Sequence, residues 1–91
     1  MAVQVTYQVV IERKAEKESE KIPSAYRRVI DKAILSLASN PRPRNAQKLT
    51  DRDGYRIRVG AYRILYIIDE DAKLVVIYRI KIRSESTYRD I

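Results

Sequence analysis

The chain has 91 residues and carries 19 lysines and arginines against 12 aspartates and glutamates, a formal net charge of +7. A chain of this length buries roughly 60–65% of its unfolded surface, enough for one domain with a modest core. It contains no cysteine and no histidine, which excludes disulfides, zinc sites of the usual type, thiol nucleophiles and histidine acid–base chemistry. Its positive charge indicates nucleic acid or another acidic partner.

The N-terminal sequence lacks the basic segment and apolar run of a targeting signal. No stretch approaches the roughly 18 apolar residues of a membrane helix. We therefore expect a soluble, cytoplasmic protein without a membrane partner.

The first 40 residues predict one strand followed by two helices. Apolar and polar residues alternate over residues 3–11, the period of a half-buried strand. Residues 12–21 are helical in composition but contain only Ala15 as an apolar residue, so that helix is expected to be short or loosely docked. Apolar residues at intervals of three and four predict a long amphipathic helix over residues 24–39, which Pro41 follows.

The remaining residues predict a sheet. The linker 41–45 contains two prolines and cannot be helical. Residues 55–59, 62–69 and 74–80 form a predicted antiparallel run of three hairpin-linked strands. The apolar face of the long helix can cover one side of them, which predicts an α+β fold: an N-terminal strand and two helices packed on one face of a small antiparallel sheet of about four strands.

Arginines and apolar residues alternate strictly in the predicted hairpin on either side of Gly60. Arg56 and Arg58 lie on the opposite side of the first strand from its apolar residues, because successive side chains leave a strand on opposite faces. The return strand adds Arg63. Three guanidiniums this close repel one another, which indicates an anionic ligand such as phosphate. A solvated sheet surface is the alternative interpretation.

The most distinctive motif is GYRIRVGAYRILY at residues 54–66, and it follows NPRP at residues 40–43 and the pair Lys48-Leu49. In this order the motifs span almost the whole chain, and they resemble the RelE/ParE toxin superfamily. The resemblance implies one RelE-like toxin domain over residues 1–91, with the RelE-like microbial RNase fold. It further implies the toxin of a toxin–antitoxin pair, whose RelE-like members cut mRNA in the ribosomal A site. No cofactor or metal is implied; the implied partners are the ribosome and a cognate antitoxin, held in a hetero-oligomer.

The resemblance also indicates candidate catalytic residues. The family's paired basic residues on the first hairpin strand match Arg56 and Arg58, and the arginine of the return strand matches Arg63. Its basic tail and following tyrosine match Arg83 and Tyr88. Lys81 and Ile82 depart from the pattern, since they replace the usual glycine and the histidine of many members.

Further basic residues are candidates for RNA contact: Arg79, Lys81, Arg42 and Arg44. Simple alternation along residues 74–80 places Arg79 on the side of Val75 and Ile77, where it either borders the site or only packs its stem. The two linker arginines are solvated in the simplest interpretation and contact ribosomal RNA in the other. The remaining tyrosines are expected to pack in the core or at its rim: Tyr7, Tyr26, Tyr55, Tyr62, Tyr66 and Tyr78.

RNA cleavage by its own 2′-hydroxyl needs a base, charge stabilisation on the phosphate and a proton for the leaving oxygen. A guanidinium, with a pKa above about 12, cannot be a simple base. Tyr88 is the candidate base, because nearby cations favour its phenolate. We assign Arg63 and Arg83 as phosphate clamps, and Arg56 or Arg58 as leaving-group or charge support.

Two alternatives stay open. The chain could be a ParE-like toxin that poisons DNA gyrase without cutting RNA, because the two branches share the fold and the hairpin. The retained arginines and Tyr88 argue against this. The altered tail also makes a second alternative possible: the chain could be a catalytically degenerate member of the superfamily that only pairs with its antitoxin. In every case an acidic or amphipathic antitoxin segment could cover the arginines and block their access to RNA.

Overall fold

The computed structural model describes residues 6–49 and 54–82. Two predicted site residues, Arg83 and Tyr88, lie outside these ranges. The elements, in chain order, are β1 (Gln8–Ile11), α1 (Arg13–Glu20), α2 (Ser24–Ser36), β2 (Gln47–Lys48), β3 (Gly54–Val59), β4 (Tyr62–Asp69) and β5 (Leu74–Ile82). Neither helix is long and apolar enough, over the residues described, to cross a membrane.

The strands form one sheet in the order β1-β5-β4-β3-β2. β3, β4 and β5 are antiparallel neighbours, as predicted. The predicted sheet of about four antiparallel strands is otherwise wrong, because the sheet has five strands and β1 runs parallel to β5. β2 has only two residues, too few for a periodic pattern. Alternation identifies β1 as a strand but carries no information on the neighbour or direction of that strand.

The strand predicted over residues 3–11 and the helix predicted over residues 24–39 have different bounds in the part of the chain that the structure describes. The described part of the first strand begins at Gln8, because the amide of Tyr7 donates to the carbonyl of Ala38 (2.7 Å) instead of joining the sheet. The long helix ends at Ser36 rather than at residue 39. Its last turn tightens to i→i+3 hydrogen bonds, such as that from Ala38 to Leu35 (3.1 Å).

One face of the sheet carries the core. Register places Ile57, Ile64 and Ile80 side by side on β3, β4 and β5, and all three are buried. Burying such a side chain stabilises the fold by about 1.5–3 kcal/mol. The core comprises Ala15, Ile22, Ile30, Ile34, Leu37, Ile57, Ile64, Tyr66, Val75, Ile77 and Ile80. α1 contributes only Ala15 to it and has eight residues, which confirms the expectation that this helix is short.

A β-bulge interrupts β5. Tyr66 lies opposite Ile77 and Leu65 opposite Arg79, so Tyr78 is an extra residue between the two pairs. The bulge reverses the alternation beyond it, which moves Ile80 into the core. The predicted orientation of Arg79, on the same side as Ile77, is therefore wrong.

Candidate nucleic-acid interface

The face of the sheet away from the core carries basic residues in rows across the strands. Arg58 lies opposite Arg63, and Arg63 lies opposite Lys81 on the next strand. Directly paired residues of antiparallel strands share a face, with Cβ atoms about 4.5–5.5 Å apart. Three cations from three strands therefore form one row.

A second row lies beside the first. Leu65 has Arg56 on one side and Arg79 on the other. We call the basic residues of the two rows the cationic face: Arg56, Arg58, Arg63, Arg79 and Lys81. Five of the residues predicted from the sequence are thus brought together.

The hairpin arginines influence one another. Partial burial of Arg56, together with the charges of Arg58 and Arg63, lowers the pKa of its guanidinium. One Nη of Arg56 donates to the side-chain oxygen of Gln47, the residue opposite it on β2. Gln47 is neutral, so it orients Arg56 without cancelling its charge. Like charges opposite one another on a sheet are destabilising unless an anion offsets them.

Arg63, at the centre of the first row, is half-buried. Its Nε is buried and has no hydrogen-bond partner in the described part of the chain. A buried donor without an acceptor costs about 1–3 kcal/mol. A phosphate bound by the exposed part of this guanidinium would offset the repulsion within the row.

Arg79 differs from the rest of the cationic face because it has an acidic partner. Its Nε and Nη2 lie 3.0 and 2.9 Å from Oε2 of Glu18 on α1. The other carboxylate oxygen, Oε1, accepts the backbone N–H of Ile80 at 2.8 Å. Burial opposes ionisation of Glu18, but these hydrogen bonds and the charges of Arg79 and Lys14 hold its pKa below the ordinary value.

Sequence reasoning missed Glu18. One of three glutamates on a polar helix carries no distinguishing periodic signal, and the partner of Glu18 lies 61 residues away. The one usable indication is that α1 has almost no apolar face, so that polar contacts must hold it.

A cavity of about 360 Å³ lies beside Lys81, between the end of α1 and β5. Its wall is mainly apolar and its rim is charged. The lining residues are Glu18, Lys21, Ile22, Tyr62, Arg79, Ile80, Lys81 and Ile82.

Arg42, a predicted RNA-binding residue, lies away from the cationic face. Its Nη1 is 2.6 Å from Oε2 of Glu70, and its Nε donates to the hydroxyl of Tyr55 at 3.1 Å. Tyr55 pairs with buried Tyr66 and so belongs to the core side of the sheet. The hydrogen bonds to Tyr55 and Glu70 raise the pKa of Arg42. Arg44 is exposed in the same linker.

Glu70 is the centre of this second charged region. Its Oε1 accepts from the hydroxyl of Tyr7 (2.7 Å) and from Nζ of Lys73 (3.2 Å). The hydrogen bonds from Tyr7, Arg42 and Lys73 lower the pKa of Glu70 to about 2. We call Glu70 and its contacts the Glu70 network: Tyr7, Arg42, Tyr55, Glu70 and Lys73. The network joins the N-terminal segment, the proline linker and the β4–β5 turn.

Tyr66 anchors the same linker from within the core. Its hydroxyl donates to the carbonyl of Pro41 at 2.8 Å, and its ring stacks on Tyr55 with centroids 5.8 Å apart. Burial raises the pKa of Tyr66 to about 12. The expectation that this tyrosine packs in the core is confirmed.

The turn and the bulge each depend on a glycine. Gly60 has a φ of 60°, which a residue with a side chain rarely adopts. Gly54 is buried, and a Cβ there would lie 3.2 Å from the hydroxyl of Tyr78 and 3.3 Å from Cδ1 of Leu49. The missing side chain lets Tyr78, the bulged residue, extend across the sheet to β3.

Comparisons with known proteins agree with this architecture. A family model described as the ParE toxin of type II toxin–antitoxin system, parDE, matches residues 9–87. The protein named RelE1 of Methanocaldococcus jannaschii is 26% identical over 88 residues, which are 92% of this chain and 97% of that protein.

Two solved toxin–antitoxin complexes contain a similar chain. The RelBE2 complex of Mycobacterium tuberculosis matches with a TM-score of 0.80 and 26% identity, over 93% of this chain and all (100%) of the matched one. The archaeal RelE–RelB complex of Pyrococcus horikoshii matches with a TM-score of 0.76 and 29% identity, over 88% of this chain and 98% of the matched one. The predicted α+β fold class is therefore confirmed, with one strand more than predicted.

Proposed function

The chain belongs to the ParE toxin family of type II toxin–antitoxin systems, as its motifs predicted, and from this premise we propose that it is a ribosome-dependent mRNA endoribonuclease. It would cut mRNA in the ribosomal A site, in the cytoplasm, and so inhibit translation. A cognate antitoxin would bind it and block that action. The reaction would need no cofactor.

The row of Arg58, Arg63 and Lys81 is the observation that carries this proposal. Its three positive charges lie side by side on neighbouring strands, and none of them forms an ion pair with a carboxylate in the residues described. Successive phosphates of an RNA chain supply anionic oxygens at comparable spacing. Charge-assisted hydrogen bonds to phosphate are roughly twice as strong as neutral ones.

The geometry supports distinct roles within the cationic face. Arg63 is the phosphate clamp, because it lies at the centre of the row and is half-buried. Arg56, oriented by Gln47, and exposed Arg58 stabilise the charge that develops on the phosphate and leaving oxygen. The clamp role of Arg83 and the base role of Tyr88 stay predictions, because both residues lie outside the described ranges.

The description of the matched family favours a second candidate function, that of a ParE-like toxin that poisons DNA gyrase. Such a toxin needs a surface for a protein partner rather than a row of cations. The third alternative, a degenerate antitoxin-binding module, rests on the altered tail at Lys81 and Ile82 and on the sparse apolar surface of the first helix. The structure weakens the first reason, because Lys81 lies opposite Arg63 and adds a cation to the row.

Primer extension tests the proposal. A defined mRNA is incubated with the purified protein, with and without ribosomes positioned at a known codon. We expect cuts confined to the A-site codon and present only with ribosomes. Intact mRNA in the presence of folded protein contradicts the proposal, and inhibition of DNA supercoiling by gyrase in a parallel assay would then support the second candidate.

A further inference from the structure

The C-terminal part of β5 extends beyond its neighbour β1. Pairing with β1 ends at Ile77, and the amide of Glu12 donates to the carbonyl of Ile77 at 2.9 Å. Further along, the edge of β5 is covered by α1, where Oε1 of Glu18 accepts the N–H of Ile80 at 2.8 Å. At this edge the carboxylate of Glu18 thus supplies an acceptor that a neighbouring strand would otherwise provide.

The same part of β5 depends on the bulge at Tyr78. A shift of one residue moves every side chain of a strand to the opposite face. Without the bulge, Arg79 would lie opposite Ile64 and point into the core. Lys81 would point to the core side as well, and the row beside Arg63 would lose one of its cations.

Glu18 makes a backbone contact that fits only the bulged register. With the bulge, Ile80 directs its N–H at the open edge, and Arg79 lies on the outer face, from which its guanidinium reaches Oε2 of Glu18. In the register without the bulge, the N–H of Ile80 would be directed at β4, and Oε1 of Glu18 would lose this donor. α1 itself buries only Ala15, so the carboxylate contacts are a major part of how this helix docks on β5.

We propose that Glu18 is a positioning residue: its carboxylate holds β5 in the bulged register and thereby places Lys81 beside Arg63 on the cationic face. The effect on the strand is independent of the protein's activity. The effect on RNA rests on the proposed function.

Nuclear magnetic resonance on the full chain tests the strand. Hydrogen bonds to charged groups contribute about 1.5–3 kcal/mol, so Glu18→Ala should speed exchange of the Ile80 amide by about tenfold or more. The cross-strand contact between the backbones of Arg63 and Lys81 should weaken with it. Glu18→Gln keeps an acceptor for Ile80 but loses the charge that holds Arg79, and it should give an intermediate result. Glu20→Ala, an exposed change on the same helix, should leave both signals as in the wild type.

An intact Arg63–Lys81 contact in Glu18→Ala would overturn the proposal whatever the exchange rate of Ile80, because faster exchange alone shows only the loss of one hydrogen bond. If Glu18→Ala does not fold, the same measurements on Glu18→Gln decide. Wild-type exchange of Ile80 and a wild-type Arg63–Lys81 contact in that variant would show that the charge of Glu18 has no role.

A second experiment separates positioning from a merely structural role. The affinity for a single-stranded oligoribonucleotide is measured against salt for the wild type and for four proteins in an Arg79→Ala background, so that loss of Glu18 does not release Arg79 as a further cation. The four are Arg79→Ala alone, with Glu18→Ala, with Lys81→Ala, and with both. If Glu18 acts through Lys81, the two losses should not add, and each of the two changes should lower the salt slope of Arg79→Ala by about 0.7, the value for one phosphate contact on a single strand.

Additive losses, or a salt slope unchanged in Glu18→Ala, would overturn the link between the two residues. If the wild-type protein binds no RNA, the proposed function fails instead. The exchange and cross-strand contact of β5 still decide whether Glu18 holds the register.

Discussion

The cationic face and the Glu70 network contain the same type of residue in opposite situations. Arg42 in the network contacts a carboxylate and a tyrosine hydroxyl. Arg63 on the cationic face lies between Arg58 and Lys81, two further cations. Arg42 therefore holds parts of the fold together, whereas Arg63 keeps its position in spite of the repulsion from its neighbours.

This difference shows which arginines are available to an external anion. The charge of Arg42 is already paired with the carboxylate of Glu70, so a phosphate could bind Arg42 only by displacing Glu70. The first row of the cationic face has no carboxylate contact in the described residues. Net charge alone does not separate the two situations, because an arginine in either group adds the same single charge to the total of +7.

The largest expected effect follows from removing the centre of the cationic face. Arg63→Ala should abolish growth arrest in cells that express the protein without antitoxin, because the phosphate loses its principal clamp. The variant should remain folded by circular dichroism, since the side chain makes no ion pair in the described ranges. Arg28→Ala, an exposed change on α2, is the control and should arrest growth like the wild type. Unchanged toxicity of Arg63→Ala at equal expression would count against the nuclease.

The next largest effect concerns the stability that the Glu70 network provides. Arg42→Ala should lower the thermal midpoint by a few degrees, because it removes two contacts that hold the proline linker to the sheet. Arg44→Ala changes an exposed arginine of the same linker and should shift the midpoint by less. Equal shifts for the two variants would show that the Glu70 network does not stabilise the linker.

A pH titration isolates the central carboxylate of the network. The pKa of Glu70 falls from the ordinary value of 4.5 to about 2 in the folded protein. Between these values the unfolded chain binds more protons than the folded one, so stability rises with pH there. The contribution of Glu70 should be complete above about pH 5 and lost as the pH falls from 4.5 to 2.

Thermal midpoints of the wild type and Glu70→Gln, measured from pH 2 to 6, test this expectation. The advantage of the wild type should be largest near pH 6 and should shrink as the solution is acidified. An advantage that does not change with pH would contradict the assigned partners of Glu70.

The smallest effect concerns the repulsion within the cationic face. Arg58→Gln should raise the free energy of unfolding by about 0.2–0.5 kcal/mol, because it removes one of two like charges paired across β3 and β4. The measurement is urea denaturation at low salt, and the gain should fall as salt screens the charges. A loss of stability at low salt would mean that the arginines of this row do not repel each other appreciably.

The features that the sequence predicted correctly are those determined by residues close together in the chain. The hairpin over residues 54–66 follows from local alternation and a glycine turn, and it places Arg56, Arg58 and Arg63 on one face as expected. The apolar period of α2 identified the helix that covers the other face. Both signals repeat within a few residues, so one sequence is enough to detect them.

The missed features depend on residues far apart in the chain. Alternation predicted the wrong side for Arg79, because the bulge at Tyr78 depends on packing across the sheet to Gly54. The partner of Arg79 is 61 residues away, and the link from Arg42 to Glu70 joins a linker to a turn. Nothing in the local pattern distinguishes a paired arginine from an unpaired one.

The most direct test of the central claim, that the cationic face acts on RNA, is the single-turnover rate of A-site cleavage on programmed ribosomes. Wild type, Arg63→Ala and Arg28→Ala are compared at equal concentration. We predict that Arg63→Ala cleaves at least about 100-fold more slowly, the usual loss when one preorganised donor to a developing charge is removed, while Arg28→Ala matches the wild type. Equal rates for all three proteins would contradict the assignment of the cationic face as the site of phosphate binding.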